Sequence, residues 1–451
     1  MRKMALEGVR VVEFGQLIAI PFATKLLADM GAEVVRIESC TRLDGYRVSG
    51  FYKNDVTGEF WNRAVNFYEQ NRNKKSLTLD LAQERARETL RDLIAVSDVF
   101  AENFTPRVIR NFGLEYEDLR RIRPDIIMVS STGYGHTGPW SGFGAIGYGT
   151  EAASGLASVT GYRDGPPTIP ELPYADYTAG EHTVFAIMAA LAHRAMTGRG
   201  QFIDISQTQT LSATVPEPLM DYTFNGRVQG RAGNRDDIYA PQGTYPCAGE
   251  DNWISISIRS DEEWATTCET LNRSEWRGDG RFASGAARAD NHDALDELLA
   301  QATSSWDARE LESALQARGI PAGAVLDGKD LLFDDHLNNR GFFEVVEHPA
   351  GTNIPPLPYA SRPWKFDRTP GSIRRSAPTL GEHNSEVLQD ILGLSESETE
   401  AMEQAGIIGT APVRPRATVP PSNELLLEQG RIVRSESDFE EKVRERFGIS
   451  Q

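Results

Sequence analysis

GVRVVEFGQLIAIPFATKLLADMGAEVVRIE, residues 8–38, is the stretch on which the fold turns. VRVVEF is rich in β-formers, Pro21 suits the first turn of a helix, and Gly31 suits that helix's end before a second strand, AEVVRIE. The order strand, helix, strand predicts a βαβ unit. An acid closing the second strand, here Glu38, is where dinucleotide folds hold a ribose hydroxyl. The loop GQLIAI lacks the GxGxxG spacing that brings backbone close to a pyrophosphate, so nicotinamide and flavin binding are set aside. Farther on, NRNKKSLTLDL runs from a basic cluster into an alternating strand, ERARETLRDLIAVSD reads as a helix and VFAEN as a buried strand. IRNFGLEYEDLRRIRP then reads as a helix and DIIMVSSTGYG as a strand. The predicted fold class is α/β, a doubly wound parallel sheet, whose ligands bind beyond the carboxyl ends of the strands. Those ends carry EFGQ with Gln16, IESC, AENF and SSTGYG.

Residues 136–172 are rich in Gly, Ser and Pro and are expected to be loops. HTVFAIMAALAHRAMTG is apolar nearly all round, which predicts a buried helix ending at Gly198. The texture then changes, with DNWISISIRSDEEW as a strand feeding a helix and several amphipathic helices after it. The expected domains are a large one with its N-terminal part at 1–200, a linker at 201–235, and a smaller α+β domain at 236–346. A return segment at 347–411 rejoins the large domain, and 412–451 form an extension.

A chain of 451 residues is long for one core and suggests two domains. A net charge of −18 with the acids spread along the chain argues against nucleic acid as a partner. Cys40, Cys247 and Cys268 have no CxxC spacing, so neither disulfides nor a thiolate metal site is expected, and no metal cluster is apparent. The longest apolar run, VFAIMAALA, is too short to span a bilayer, so a cytoplasmic protein with no membrane partner is expected.

In PYADYTAGEH, residues 173–182, Asp176 stands at the amino end of the long apolar helix. Such a carboxylate is either an N-cap or a nucleophile that attacks an activated carbonyl, and local sequence leaves both open. LEGVRVVEF, LLADMGAEVVRIE, DVFAENFTPRVIRNFGLEYEDL, STGYGHTGP, PYADYTAGEHTVFAIMAALAHRAMTGRGQFIDIS and SAPTLGEHNSEVLQDILG occur in this order. The chain thereby resembles the class III coenzyme A transferase family (CaiB/BaiF type, formyl-CoA transferase-like) over about residues 5–411.

The resemblance implies an interlocked, ring-like homodimer and CoA transfer from an acyl-CoA thioester to a free carboxylic acid. No permanent cofactor is implied, the CoA thioester being substrate. It implies that Asp176 forms a mixed anhydride and then an aspartyl-CoA thioester, and that Ala19, Leu79, Asn103 and Phe104 line the CoA cleft. The family's basic phosphate positions are replaced by Ser39, Ala82 and Asn111, so Arg42, Arg47, Lys74, Lys75, Arg107 and Arg110 are the candidates to compensate. Ile20 stands where the family carries glycine and is expected to crowd the first loop. Gln16, His136 and Glu151 are candidates for the substrate pocket, while His182 is expected to pack or cap. Racemases of the same fold use a histidine in a GHDxxY-like stretch. Here that stretch reads AIGYGT, with no histidine, which argues against racemisation; a racemase or isomerase of the same fold, and a non-catalytic homologue that has lost CoA chemistry with its basic positions, are the alternatives to transfer.

Overall fold

The computed structural model describes residues 4–449. Its central sheet has six strands: β1 (Arg10–Phe14), β2 (Glu33–Glu38), β3 (Lys74–Thr78), β4 (Val99–Glu102), β5 (Ile127–Thr132) and β6 (Phe202–Ser206). Their order is β3-β2-β1-β4-β5-β6, and every neighbouring pair is parallel. The order reverses between β1 and β4, which is where a crevice opens in sheets of this kind. Both faces are covered, so β3, β4 and β5 are buried throughout and their sequences show no clean alternation.

The helices that accompany this sheet are α1 (Ala19–Asp29), α2 (Val65–Asn71), α3 (Glu84–Ala95), α4 (Pro106–Asn111), α5 (Tyr116–Ile122), α6 (Gly147–Ser154), α8 (Tyr174–Thr197) and α9 (Gln207–Ser212), while the short α7 (Leu156–Val159) lies, but for its first residue, in the second unit described below. On one face of the sheet, Ile20 and Leu27 of α1 and Ile187 and Ala190 of α8 pack on Val11, Val99 and Val129. On the other, Leu90 and Leu93 of α3 pack with Val387, Leu388 and Met402 from the returning chain. α1 and α8 meet at Gly180, where a Cβ would lie 2.6 Å from Phe22 Cδ1 and 3.1 Å from the Ala19 carbonyl.

Three expectations need correction. α8 does end at Gly198, whose φ of 69° closes it, but it is not buried all round: Phe185 and Met196 are 77% and 79% exposed. The buried stripe runs through Thr183, Ile187 and Ala190, with Val184 and Leu191 partly buried against the same core. The stretch 136–172, expected to be loops, contains α6 and α7. The stretch 201–235, expected to be a linker, contains the sixth strand, α9 and a helix at Pro216–Asn225.

The chain forms two compact units, one of residues 1–156, 169–219 and 337–451, the other of 157–168 and 220–336. The second holds an antiparallel sheet of β7 (Gln242–Pro246), β8 (Trp253–Ser257) and β9 (Ala322–Ala324), with a core that includes Trp264, Cys268, Phe282 and Leu295. A hairpin of β10 (Phe343–Val346) and β11 (Leu357–Ala360) belongs to the first. The cysteines are free, and burial raises the pKa of each thiol. Among the described residues no helix is long and apolar enough to cross a membrane, and no group of three or more His, Cys, Asp or Glu is placed to hold a metal.

Candidate functional site

The sequence places two tight turns at the β1/β4 crevice, and side chains lock them together. Asn103, just after β4, accepts from the Gln16 N–H at 2.8 Å and donates to the Gln16 carbonyl at 2.9 Å, clamping the loop after β1. Leu17 follows in the left-handed region with φ 60°, and its N–H donates to Asp44 at 3.0 Å. The chain then enters α1 at Ala19. Ile20 turns into the core and packs tightly beneath the loop, where a Cβ at Gly15 would lie 2.7 Å from Ile20 Cγ2.

Asp176 lies in the first turn of α8 but does not cap it: Pro173 is the N-cap, with no side-chain cap bond. Its carboxylate accepts from the Ala19 N–H, so it sits at the amino end of α1. Burial raises its pKa to about 6 against that hydrogen bond, with a smaller push from the Glu151 charge. Glu151 is fully buried and supplies the cap instead. Its Oε1 accepts from the Tyr174 N–H and, at 3.4 Å, from the Ala175 N–H, while its Oε2 has no partner. It does not line the cavity as expected; it holds the turn that carries Asp176.

A cavity of about 640 Å³ opens over Asp176, lined among others by Gln16, Tyr46, Gln70, Gly147 and Tyr177. Gly147 begins α6 against the nucleophile candidate, where a Cβ would lie 2.5 Å from Pro173 Cβ and 2.8 Å from Asp176 Oδ2. Burial pushes the Tyr46 and Tyr177 hydroxyls up, keeping both as neutral donors. Tyr177 stands edge-on to Phe22 and accepts from Gln70 at 3.3 Å. Tyr46, Gln70 and Gly147 were not singled out from sequence. The tyrosine flanking Asp176 was a visible signal, whereas Tyr46 lies in an irregular aromatic-rich stretch with no period to read.

A second cavity, of about 320 Å³, lies over β2 and β3 and shares Gln16 and Phe104 with the first. Leu79 and Arg42 line it, as do Ser39 and Ala82. Glu38 also reaches it, but Arg47 grips both its oxygens at 2.7 and 2.8 Å and Ser76 donates to one of them, which ties the carboxylate into the protein. Lys74 is buried on Glu13 at 2.7 Å. Lys75 does not line this cavity; it pairs with Glu33 and Glu386 toward the amino-terminal ends of β2 and β3. Arg110 does not line this cavity either: Val108 and Phe112 reach it from α4 and its C-cap, while Arg110, two residues round, is exposed and paired with Glu115 at 3.0 Å.

His136 lines neither cavity. Its Nε2 meets Ser130 Oγ at 2.7 Å, its N–H donates to Asp204, its ring stands on Phe202, and burial lowers its pKa. Beside it Glu102, fully buried, accepts from the Phe104 N–H at 2.7 Å, and burial raises its pKa to about 7. His182 packs back on its own helix, at 2.8 Å from the Thr178 carbonyl.

The family model of CoA-transferase family III matches residues 6–384. Succinyl-CoA–D-citramalate CoA-transferase of Chloroflexus aurantiacus is 32% identical over 406 residues, covering 89% of this chain and 98% of its own. Succinate–glutarate CoA-transferase of Agrobacterium fabrum is 32% identical over 399 residues, covering 88% and 98%. Among solved structures, a CaiB/BaiF family protein from Brucella suis superposes with a TM-score of 0.80 at 31% identity, covering 86% of this chain and all of that one.

Proposed function

The chain belongs to CoA-transferase family III, and on that premise we propose that it moves coenzyme A between carboxylic acids through covalent intermediates on Asp176. The observation that carries this is a half-buried carboxylate, without a cation partner among the described residues, that lines a cavity and sits at the amino end of α1. Desolvation keeps the carboxylate reactive, and the Ala19 N–H stands where charge develops when a carbonyl at Asp176 turns tetrahedral.

An Asp176 oxygen attacks the thioester carbonyl. The C–S bond breaks, leaving a mixed anhydride and CoA thiolate. The thiolate attacks the Asp176 carbonyl of the anhydride, releasing the first acid and forming an aspartyl-CoA thioester. The acceptor carboxylate then attacks that thioester, expelling the thiolate, which takes the new acyl group and returns Asp176 as carboxylate. Neutral Tyr46 and Tyr177 are placed to donate to the acyl oxygens. The 640 Å³ cavity takes the acid, and the cavity sharing Gln16 and Phe104 takes the remainder of CoA. No histidine lines the acid cavity among the described residues, which supports transfer over racemisation.

A second copy of the chain covers the apolar side of α8, where Phe185, Met188 and Met196 are exposed; light scattering would return a monomer mass if this is wrong. The covalent route is tested by intact-protein mass spectrometry after incubation with acyl-CoA thioesters. Succinyl-CoA comes first, because the relatives' names share succinyl or succinate. A CoA or acyl adduct at Asp176, which hydroxylamine converts to an aspartyl hydroxamate with release of CoA or the acid, and which is absent in Asp176→Ala, is expected; transfer without an adduct, retained in that variant, would overturn it.

A further inference from the structure

Coenzyme A is a polyanion, and the cleft assigned to it is poor in cations. Of the basic residues at the second cavity, Arg36 is spent on Glu13 and Asp44, leaving Arg42 as the one lining cation without an ion pair among the described residues. The chain as a whole carries a net charge of −18, so no diffuse positive field makes up the difference.

Beyond the matched family region, the chain runs past the ends of β2 and β3. The Asp80 N–H donates to the Ile407 carbonyl at 2.8 Å, the Gly409 N–H donates to Thr78 Oγ1 at 2.9 Å, and the Val413 N–H donates to the Cys40 carbonyl at 2.8 Å. The Thr418 N–H then donates to the Val48 carbonyl at 2.8 Å. Residues 413–418 are thus pinned at both ends alongside residues 40–48. That stretch includes Arg42 and abuts the cavity wall of Ser39 and Thr41. Between the pins lie Arg414 and Arg416, both exposed and neither ion-paired among the described residues. Two prolines, Pro412 and Pro415, stiffen the strap, so the arginines are presented on an ordered segment.

We propose that Arg414 and Arg416, together with Arg42, form a phosphate-binding rim at the mouth of the second cavity that holds the 3′-phospho-ADP end of CoA. The inference rests on the transferase reading above. Guanidinium groups suit this task because each meets phosphate oxygens with two donors at once. The strap compensates for the uncharged Ser39, Ala82 and Asn111, and does so from a segment outside the matched family region.

The test is binding of free CoA, 3′-dephospho-CoA and pantetheine by calorimetry, and turnover with succinyl-CoA and succinyl-pantetheine, in wild type, R414A/R416A and R431A. Arg431 lies in the same extension, away from the strap. The double variant is expected to bind CoA about tenfold more weakly and to raise the KM for the CoA thioester alike, with kcat, pantetheine binding and melting temperature unchanged. R431A is expected to match wild type. Equal CoA affinity in wild type and the double variant, or the same loss in R431A, overturns the rim while leaving the transferase reading intact. A wild type that neither binds CoA nor transfers it overturns both.

Discussion

Gly147→Ala sets two opposing effects against each other. At a helix start, alanine in place of glycine gains up to about 1 kcal/mol from reduced backbone freedom in the unfolded chain. Here the new Cβ would lie 2.5 Å from Pro173 Cβ and 2.8 Å from Asp176 Oδ2, well inside ordinary contact. Relief requires Pro173 or Asp176 to move by several tenths of an ångström, and overpacking of this kind costs about 1–3 kcal/mol. The clash wins, and its effect falls on the residue that must meet the thioester. A displacement approaching 1 Å at a reacting group lowers turnover by on the order of 10²-fold. Gly149, on the same helix, supplies the control, since nothing lies within 4 Å of its Cβ position. Gly149→Ala should therefore melt at or above the wild-type temperature with full activity. Gly147→Ala should lose turnover about a hundredfold by steady-state assay while still binding free CoA, because the second cavity is untouched. Full turnover in Gly147→Ala would refute the placement of Asp176 against α6.

The nucleophile reading requires an ionised Asp176, so single-turnover acylation should rise with pH through about 6 and be flat above; a profile flat from pH 5 to 8 would contradict it. Glu102 has a folded pKa of about 7, above its ordinary value, so the unfolded chain ionises first and stability falls as pH rises from about 4.5 to 7. At 1.36 kcal/mol per unit the loss is at most roughly 3 kcal/mol. Glu102→Gln, which still accepts from the Phe104 N–H, should flatten that slope in urea titrations at pH 5 and 8. Lys75→Ala should leave the KM for CoA unchanged and lower stability by about 1 kcal/mol, because its two carboxylate partners are both partly exposed; a weakened KM would return Lys75 to the cleft.

Five of the six strands were legible because their information is local, whereas β6 fell in a stretch expected to be a linker. Each βαβ stretch announces itself by β-rich runs, a proline in a first turn and a glycine after a last one, and the parallel order follows from their alternation. The site was legible only in part. Asp176 could be placed in a first helical turn, but its donor, Ala19, comes from another helix brought alongside by the Gly180 contact, which no spacing encodes. Lys75 lies outside the second cavity for a simple geometric reason: it precedes Leu79 by four residues, which along a strand is about 13 Å, enough to put it toward the other end of β3. Arg110 is turned from the cavity by helical phase. Glu151 was seen as an acid near the site, yet its partners are backbone N–H groups of α8, and a sequence shows no free amides.

Beneath the first loop, Glu13 accepts from Lys74 at 2.7 Å and pairs with Arg36, and Arg36 reaches on to Asp44, all four nearly or fully buried. Burying such a chain of charges adds little to stability, since desolvation offsets most of the attraction. Its geometry points to another use. Asp44 spends its remaining acceptor capacity on the Leu17 N–H at 3.0 Å and the Tyr46 N–H at 2.8 Å. The first bond holds a leucine in a left-handed conformation that costs about 1 kcal/mol, and the second holds a tyrosine that faces the cavity. One carboxylate, fixed by an arginine that is itself fixed by β1, thus sets the approach to α1 and the position of Tyr46 together. Because β1 carries Glu13 and ends at the clamp made by Asn103, the Ala19 N–H is aimed from two directions, by hydrogen bonds to β4 and by charges from β2 and β3. An apolar replacement of that network could preserve the sheet and still leave the donor at Asp176 unaimed.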